Sequence, residues 1–361
     1  MTWLVWRQAR AQTAVALGGL VVLAVIFVMT GPHIVHAFRN LVASCASHDL
    51  QSCNDASANP VTSDYRNLQV VAQVLVLVVP ALVAMFWGAP LIARELETGT
   101  YRLAWTQSVT RRHWVLAKVG LVGLATIAAS GLLSLMVTWW FSPIDALNAS
   151  NFSLLQFSVR GIAPLGYGAF AFALGVLLGV VLRHTLAAMA ATLGGFVFVR
   201  LAFTYWIRQH LLPTSHLTVP VTPADMGFAI TPSGAQVVAT AGNSIPNSWV
   251  YSASIVNRAG QAPDSAFVKT ACPSLASGFP GVSFRPGPAA HGALGSVRAV
   301  PVAKGDFVAC AHKVAESYHE VLTYQPPSHY WPMQGIETGV FLAAAAGLLA
   351  LALWFVRTRV S

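Results

Sequence analysis

The chain has 361 residues, of which 55% are hydrophobic and only 9% charged. A soluble globular domain carries about a quarter charged residues, so there is too little charge here to cover a water-facing surface. A soluble enzyme or nucleic-acid binder is thereby excluded, despite a formal net charge of +9, and the basic excess needs another explanation.

The N-terminal stretch MTWLVWRQARAQ sets Trp3, Leu4 and Trp6 beside Arg7 and Arg10. That composition suits a helix lying in a membrane interface, with its aromatics among headgroups. Crossing about 30 Å of hydrocarbon takes about 20 apolar residues, and six stretches qualify. The first runs from Thr13 to Met29 and is expected to stop at Gly31-Pro32. No convincing small-residue cleavage site follows it, so it reads as an anchor rather than a signal peptide. The loop that follows is polar and holds Cys45 and Cys53, with His33-x-x-His36 at its start. Two histidines without a third ligand make no metal site.

The second span is expected over Leu68 to Ile92, with Pro80 and Pro90 inside it. Then comes the polar segment ARELETGTYRLAWTQSVTRRHWVLAK, leading into a third span from Val115 to Phe141. The fourth, Phe157 to Leu182, carries Pro164 and five glycines that permit close helix approach. The fifth, Thr185 to Ile207, follows after only Arg183-His184, which predicts a tight helical hairpin. Residues 208–333 then form a segment rich in Pro, Gly, Ser and Ala. It contains strand-like runs at Gln236–Thr240, Trp249–Val256 and Glu320–Tyr324, and holds Cys272 and Cys310. Tyr330-Trp331 marks a membrane interface before the sixth span, Gly335 to Val356. The expected organisation is a membrane domain over 1–207, a soluble domain over 208–333, and a last span with its tail over 334–361. The fold class is an all-α polytopic membrane protein with a small, mixed, loop-rich insertion between spans five and six.

Cytoplasmic termini put ten basic residues on the inner side: Arg7, Arg10, Arg94, Arg102, Arg111, Arg112, Lys118, Arg183, Arg357 and Arg359, against Glu95 and Glu97. The outer segments balance, so the positive-inside rule selects this orientation. All four cysteines then fall in an oxidising compartment. Pairs Cys45–Cys53 and Cys272–Cys310 are expected because each pair shares one loop. Arg160, Arg200 and Glu337 sit in or beside apolar spans, where ionisable groups are paired or face a cavity. Glu337 is expected to pair with Arg200 or Arg160, as a structural brace or as part of a substrate path.

The segment RELETGTYRLAWTQSVTRRHW, with its acidic pair, Gly-Thr, apolar stretch, Ser/Thr–Arg element and the Lys entering the next span, resembles permease subunits of ABC type 2 exporters. More narrowly, it is similar to permeases common in actinobacteria, and the likeness extends over nearly the whole chain. It implies that Thr98 to Arg112 form a coupling helix seated in a groove of an ATPase. Glu95, Glu97, Gly99, Thr100, Tyr101, Trp105, Arg111 and Arg112 would be its contact residues. Tyr101 and Trp105 would be buried anchors of that contact. Glu95 and Glu97 would pair with arginines of the ATPase or cap the helix. No Gly-x-x-x-x-Gly-Lys-Ser/Thr loop is present, so ATP and Mg are expected on a separate subunit, with no cofactor bound directly. The resemblance further implies a second permease copy, as a homodimer or heterodimer, and export of a drug, antibiotic or lipid. Two rival classes are a membrane-embedded enzyme, for which no catalytic cluster is found, and a sensor or immunity protein that binds a ligand through the outer domain.

Overall fold

The computed structural model describes residues 2–44, 66–99, 111–145, 152, 154–221, 226–231, 234–239, 245, 247–273 and 304–358. Two compact units result, one formed by Met1–Leu212 with Ser328–Ser361 and the other by Pro213–Pro327.

The first unit is helical and, among the described residues, has six helices long and apolar enough to cross a membrane. Helix α1 spans Thr2–Ser44. Its apolar run does not end at Gly31-Pro32 as expected, because the helix continues through Pro32 with Ile34 buried beyond it. Proline removes one backbone hydrogen bond. Packing on both sides of that point holds the helix together: Phe27 stacks on Trp140, and the Trp140 indole donates to Thr30 Oγ1 at 2.8 Å.

Helix α2 (Arg66–Val83) passes through a π-turn at Ala84–Gly88 into α3 (Ala89–Thr98). The Ala89 amide reaches back five residues to the Ala84 carbonyl. Pro90 lies just beyond, where its ring would crowd the carbonyl four residues earlier, and a widened turn relieves that clash. After α4 (Arg111–Asp145), the expected fourth span proves to be broken. A short α5 (Leu154–Val159) is followed by Arg160-Gly161-Ile162, with Gly161 at φ +66°, and then by α6 (Ala163–Leu182). The two-residue turn is as short as expected: Arg183 takes a left-handed conformation and α7 (Thr185–Ala202) starts at once. The fifth span continues through a second π-turn (Phe203–Ile207) and a 3-10 turn (Arg208–His210). The last helix, α10, covers Tyr330–Thr358.

Helix α6 is the axis of this unit. Two-thirds of its apolar window is buried, against a third or less for every other candidate span. It packs closely against the π-turn. A Cβ at Gly175 would lie 2.7 Å from the Ala84 carbonyl oxygen, and one at Gly88 would lie 2.8 Å from that of Phe172. Glycine on both sides brings the two backbones into direct contact, which is how helices associate without a hydrophobic driving force between them. Toward the Glu95 end, Ile92, Val115, Val119, Phe172, Val176, Ala352 and Val356 pack around the same helix.

The second unit is a three-stranded antiparallel sheet, β1 (Ser215–Pro220), β5 (His319–Gln325) and β4 (Trp249–Val256) in that order. A separate hairpin is formed by β2 (Met226–Thr231) and β3 (Gly234–Ala239). Among the described residues the unit also has the helices α8 (Ser265–Ala271) and α9 (Lys304–Ser317). Helix α8 is capped by Asp264, whose Oδ1 accepts the Phe267 amide at 2.7 Å. The unit is shorter at both ends than the 208–333 stretch read from the sequence. Residues 208–212 still belong to the helical unit, and Tyr330 already opens the last helix. Cys272 and Cys310 form a disulfide inside a core with Val221, Ile255, Val268 and Val314. Cys45 and Cys53 lie outside the described residues.

Removing that bridge with Cys272→Ser and Cys310→Ser is expected to destabilise the second unit by about 2–4 kcal/mol, since the bond restrains the unfolded chain. Limited proteolysis of the purified full chain would show faster cleavage within residues 213–327, while the melting temperature of the helical unit stays unchanged.

Candidate functional site

Two clusters of charge are built into the helical unit, one buried among the spans and one at the Glu95 end. The buried cluster starts on α10, where Gln334, Glu337 and Thr338 share one face at helical spacing and are all buried. Glu337 is fully enclosed. Its Oε1 accepts Arg208 Nη2 at 2.8 Å and Arg200 Nη1 at 3.4 Å, and its Oε2 accepts Arg208 Nε at 3.0 Å. The Tyr167 hydroxyl donates to Oε1 as well. Arg208 Nη2 also donates to Ser158 Oγ at 2.9 Å. Both guanidinium groups lie on aromatic faces, Arg200 at 3.6 Å from the Tyr167 ring centre and Arg208 at 4.7 Å from that of Phe157. Stacking of this kind is favourable where the cation is stripped of water.

Arg160 does not take the place expected for it beside Glu337. Its guanidinium lies over the Phe141 ring, 4.6 Å from the centre. The further partner of Glu337 is Arg208, at the point where the sequence places the start of the soluble domain. Its position eight residues after Arg200, about two helical turns, is the signal that puts both on one side of the fifth span.

Gln334 closes the break in the fourth span. Its Oε1 accepts the Ala163 amide, the first of α6, and its Nε2 donates to the Phe157 carbonyl near the end of α5, both at 2.9 Å. Ser134 Oγ donates to the Gly161 carbonyl at 2.8 Å. Backbone freed by the interruption is thus satisfied by side chains of neighbouring helices, as it must be in hydrocarbon. Among the described residues no three His, Cys, Asp or Glu side chains are grouped to hold a metal ion. One carboxylate of the sixth span thus meets Tyr167 of the fourth span and Arg200 and Arg208 of the fifth.

At the other end, α3 delivers two carboxylates in opposite directions. Glu95 forms an ion pair with Lys118 of α4, which is buried. Glu97 reaches the start of α7, where its Oε2 accepts the Thr185 amide at 2.9 Å and the Thr185 hydroxyl at 2.6 Å. His184 Nδ1 stands 3.7 Å from Oε1. Thr98 Oγ1 turns back to the Arg94 carbonyl, and Gly99, at φ +72°, ends the helix. A left-handed glycine is the usual way to stop a helix at its C-terminus. Thr100, Tyr101 and Trp105 lie outside the described residues. Arg111 and Arg112 occupy the first described turn of α4.

Comparison with known proteins gives one match: the family model described as ABC-2 membrane transporter related covers residues 17–208. That stretch ends on Arg208, the residue that completes the buried cluster. No curated protein and no solved structure matches the chain.

Proposed function

The chain belongs to the ABC-2 membrane transporter related family, and on that premise we propose that it is the permease subunit of an ATP-driven exporter of hydrophobic or amphipathic small molecules. The family is one of multi-pass transport components, and six apolar helices agree with it. The observation that carries the finer reading is the Glu95–Thr98 end of α3. Two carboxylates fix the base of the segment between the second and third spans to helices on either side. A permease that receives force from a separate ATPase needs such a firm mounting for its contact segment. In this reading residues 99–112 dock on the ATPase through Tyr101 and Trp105, with Arg111 and Arg112 at the rim. Both termini are cytoplasmic, in keeping with the ten basic residues on that side. The Pro213–Pro327 unit, with its disulfide, lies outside the cell. A second permease copy completes the transporter, and ATP with Mg binds the ATPase alone.

The test is co-purification of the chain with an ATPase encoded beside it, together with measurement of stimulated ATP hydrolysis. Replacing both Tyr101 and Trp105 with Ala is expected to weaken that complex by tenfold or more, roughly the effect of losing two buried aromatic anchors. Undiminished affinity in the double variant would remove the docking assignment. A chain that binds no ATPase but binds an extracellular ligand through residues 213–327 would be a sensor or immunity protein instead.

A further inference from the structure

The turn between α6 and α7 does not cap the helix it starts. His184 occupies the N-cap position in an extended conformation and makes no side-chain capping bond. Helix N-termini leave amides unsatisfied and favour a negative charge nearby. Here both needs are met from another helix, 88 residues earlier in the chain, by Glu97. The neighbouring contact is equally close: a Cβ on Gly179 would lie 2.5 Å from the Ala89 carbonyl oxygen and 3.4 Å from Ala93 Cβ. Ala89 and Ala93 pack with Ala188 of α7 in one buried cluster. Helix α3 is therefore seated on the α6–α7 hairpin along its whole length and bonded to it at the tip.

We propose that Glu97 is a positioning residue that transmits movement of α3 to the fourth and fifth spans by capping α7. This rests on the permease reading and changes the part Glu97 plays in it. Its carboxylate is spent within the chain, so it acts behind the ATPase contact rather than in it. Glu95, paired with Lys118, provides the matching tie to the third span. Displacing α3 then moves three spans together, whereas cutting the Glu97 bonds releases the hairpin and leaves the docking segment intact.

The experiment uses the full chain in lipid nanodiscs with its ATPase, comparing wild type, Glu97→Ala and Glu97→Gln. Three quantities are read: ATPase affinity, permease-stimulated ATP hydrolysis, and, without ATPase, amide hydrogen exchange over residues 185–192. Glu97→Ala is expected to keep its affinity, lose stimulation about tenfold and exchange about tenfold faster, in line with loss of a helix cap. Glu97→Gln still offers a carbonyl to Thr185 and should stay within about threefold of wild type in each. Three results would overturn the proposal: Glu97→Ala behaving as wild type, Glu97→Ala losing the ATPase, or Glu97→Gln failing as badly as Glu97→Ala. A wild-type chain that recruits no ATPase would overturn the permease reading and the transmission role with it. The exchange measurement, made without ATPase, tells that outcome apart from an absent cap.

Discussion

Replacing Glu337 with Leu is expected to abolish recovery of monodisperse protein from the membrane. The substitution removes a carboxylate to which Arg208 donates twice and Arg200 once, in a position without solvent. Breaking a buried ion pair by deleting one partner costs about 3–5 kcal/mol, because the remaining charge has nothing to offset its desolvation. Here two cations are left. Arg208→Leu should be milder, since Glu337 keeps Arg200 and the Tyr167 hydroxyl. Glu337→Gln retains one acceptor and should fall between the two. Size-exclusion profiles and melting temperatures in detergent give the order directly. If Glu337→Leu is as stable as the parent, the cluster is not a brace. If Glu337→Gln folds normally yet loses transport, the cluster belongs to the substrate path.

Gly175→Val is expected to be nearly as damaging, for a purely steric reason. The new Cβ would meet the Ala84 carbonyl at 2.7 Å and the Ala89 nitrogen at 2.8 Å, and both are main-chain atoms of a π-turn that cannot rotate away. Overpacking against side chains costs about 1–3 kcal/mol, and contact with fixed backbone exceeds that range. Gly194, on the face of α7 where a Cβ meets nothing within 4 Å, is the control, and Gly194→Val should leave yield and melting temperature near the parent's. Equal behaviour of the two variants would mean that the α6 contact is looser than drawn here.

The six spans were legible because apolar length is a property of contiguous sequence. Their ends were less so. Pro32 reads as a stop in isolation, and only the packing of Phe27, Trp140 and Ile34 around it keeps α1 continuous. The break at Gly161 lies inside a stretch whose apolar length reads as one span despite Arg160 and Pro164, and the residue that repairs it, Gln334, lies 171 positions from Ala163. Of the buried charges, Arg200 and Glu337 stood out against apolar neighbours. Arg208 did not, because it falls where composition turns polar, and a π-turn carries the span past that point. Glu97 was visible as one of two acids on a basic side, but its partners are the amide and hydroxyl of Thr185, 88 residues away, and no local pattern links the two. In the second unit, β4 and β5 followed their β-branched and aromatic runs, whereas β1 and both helices had no comparable pattern to announce them.

The pairing of β1 with β5 bears on how this architecture tolerates change. Ser215 stands opposite Tyr324 and Pro220 opposite His319. The polypeptide thus departs and returns along adjacent strands about 4.8 Å apart. The ends of the whole excursion are therefore as close as those of an ordinary hairpin, whatever is threaded between them. With its base zipped in this way, the intervening sequence can lengthen or shorten without changing the distance between the points where the chain enters and leaves the unit.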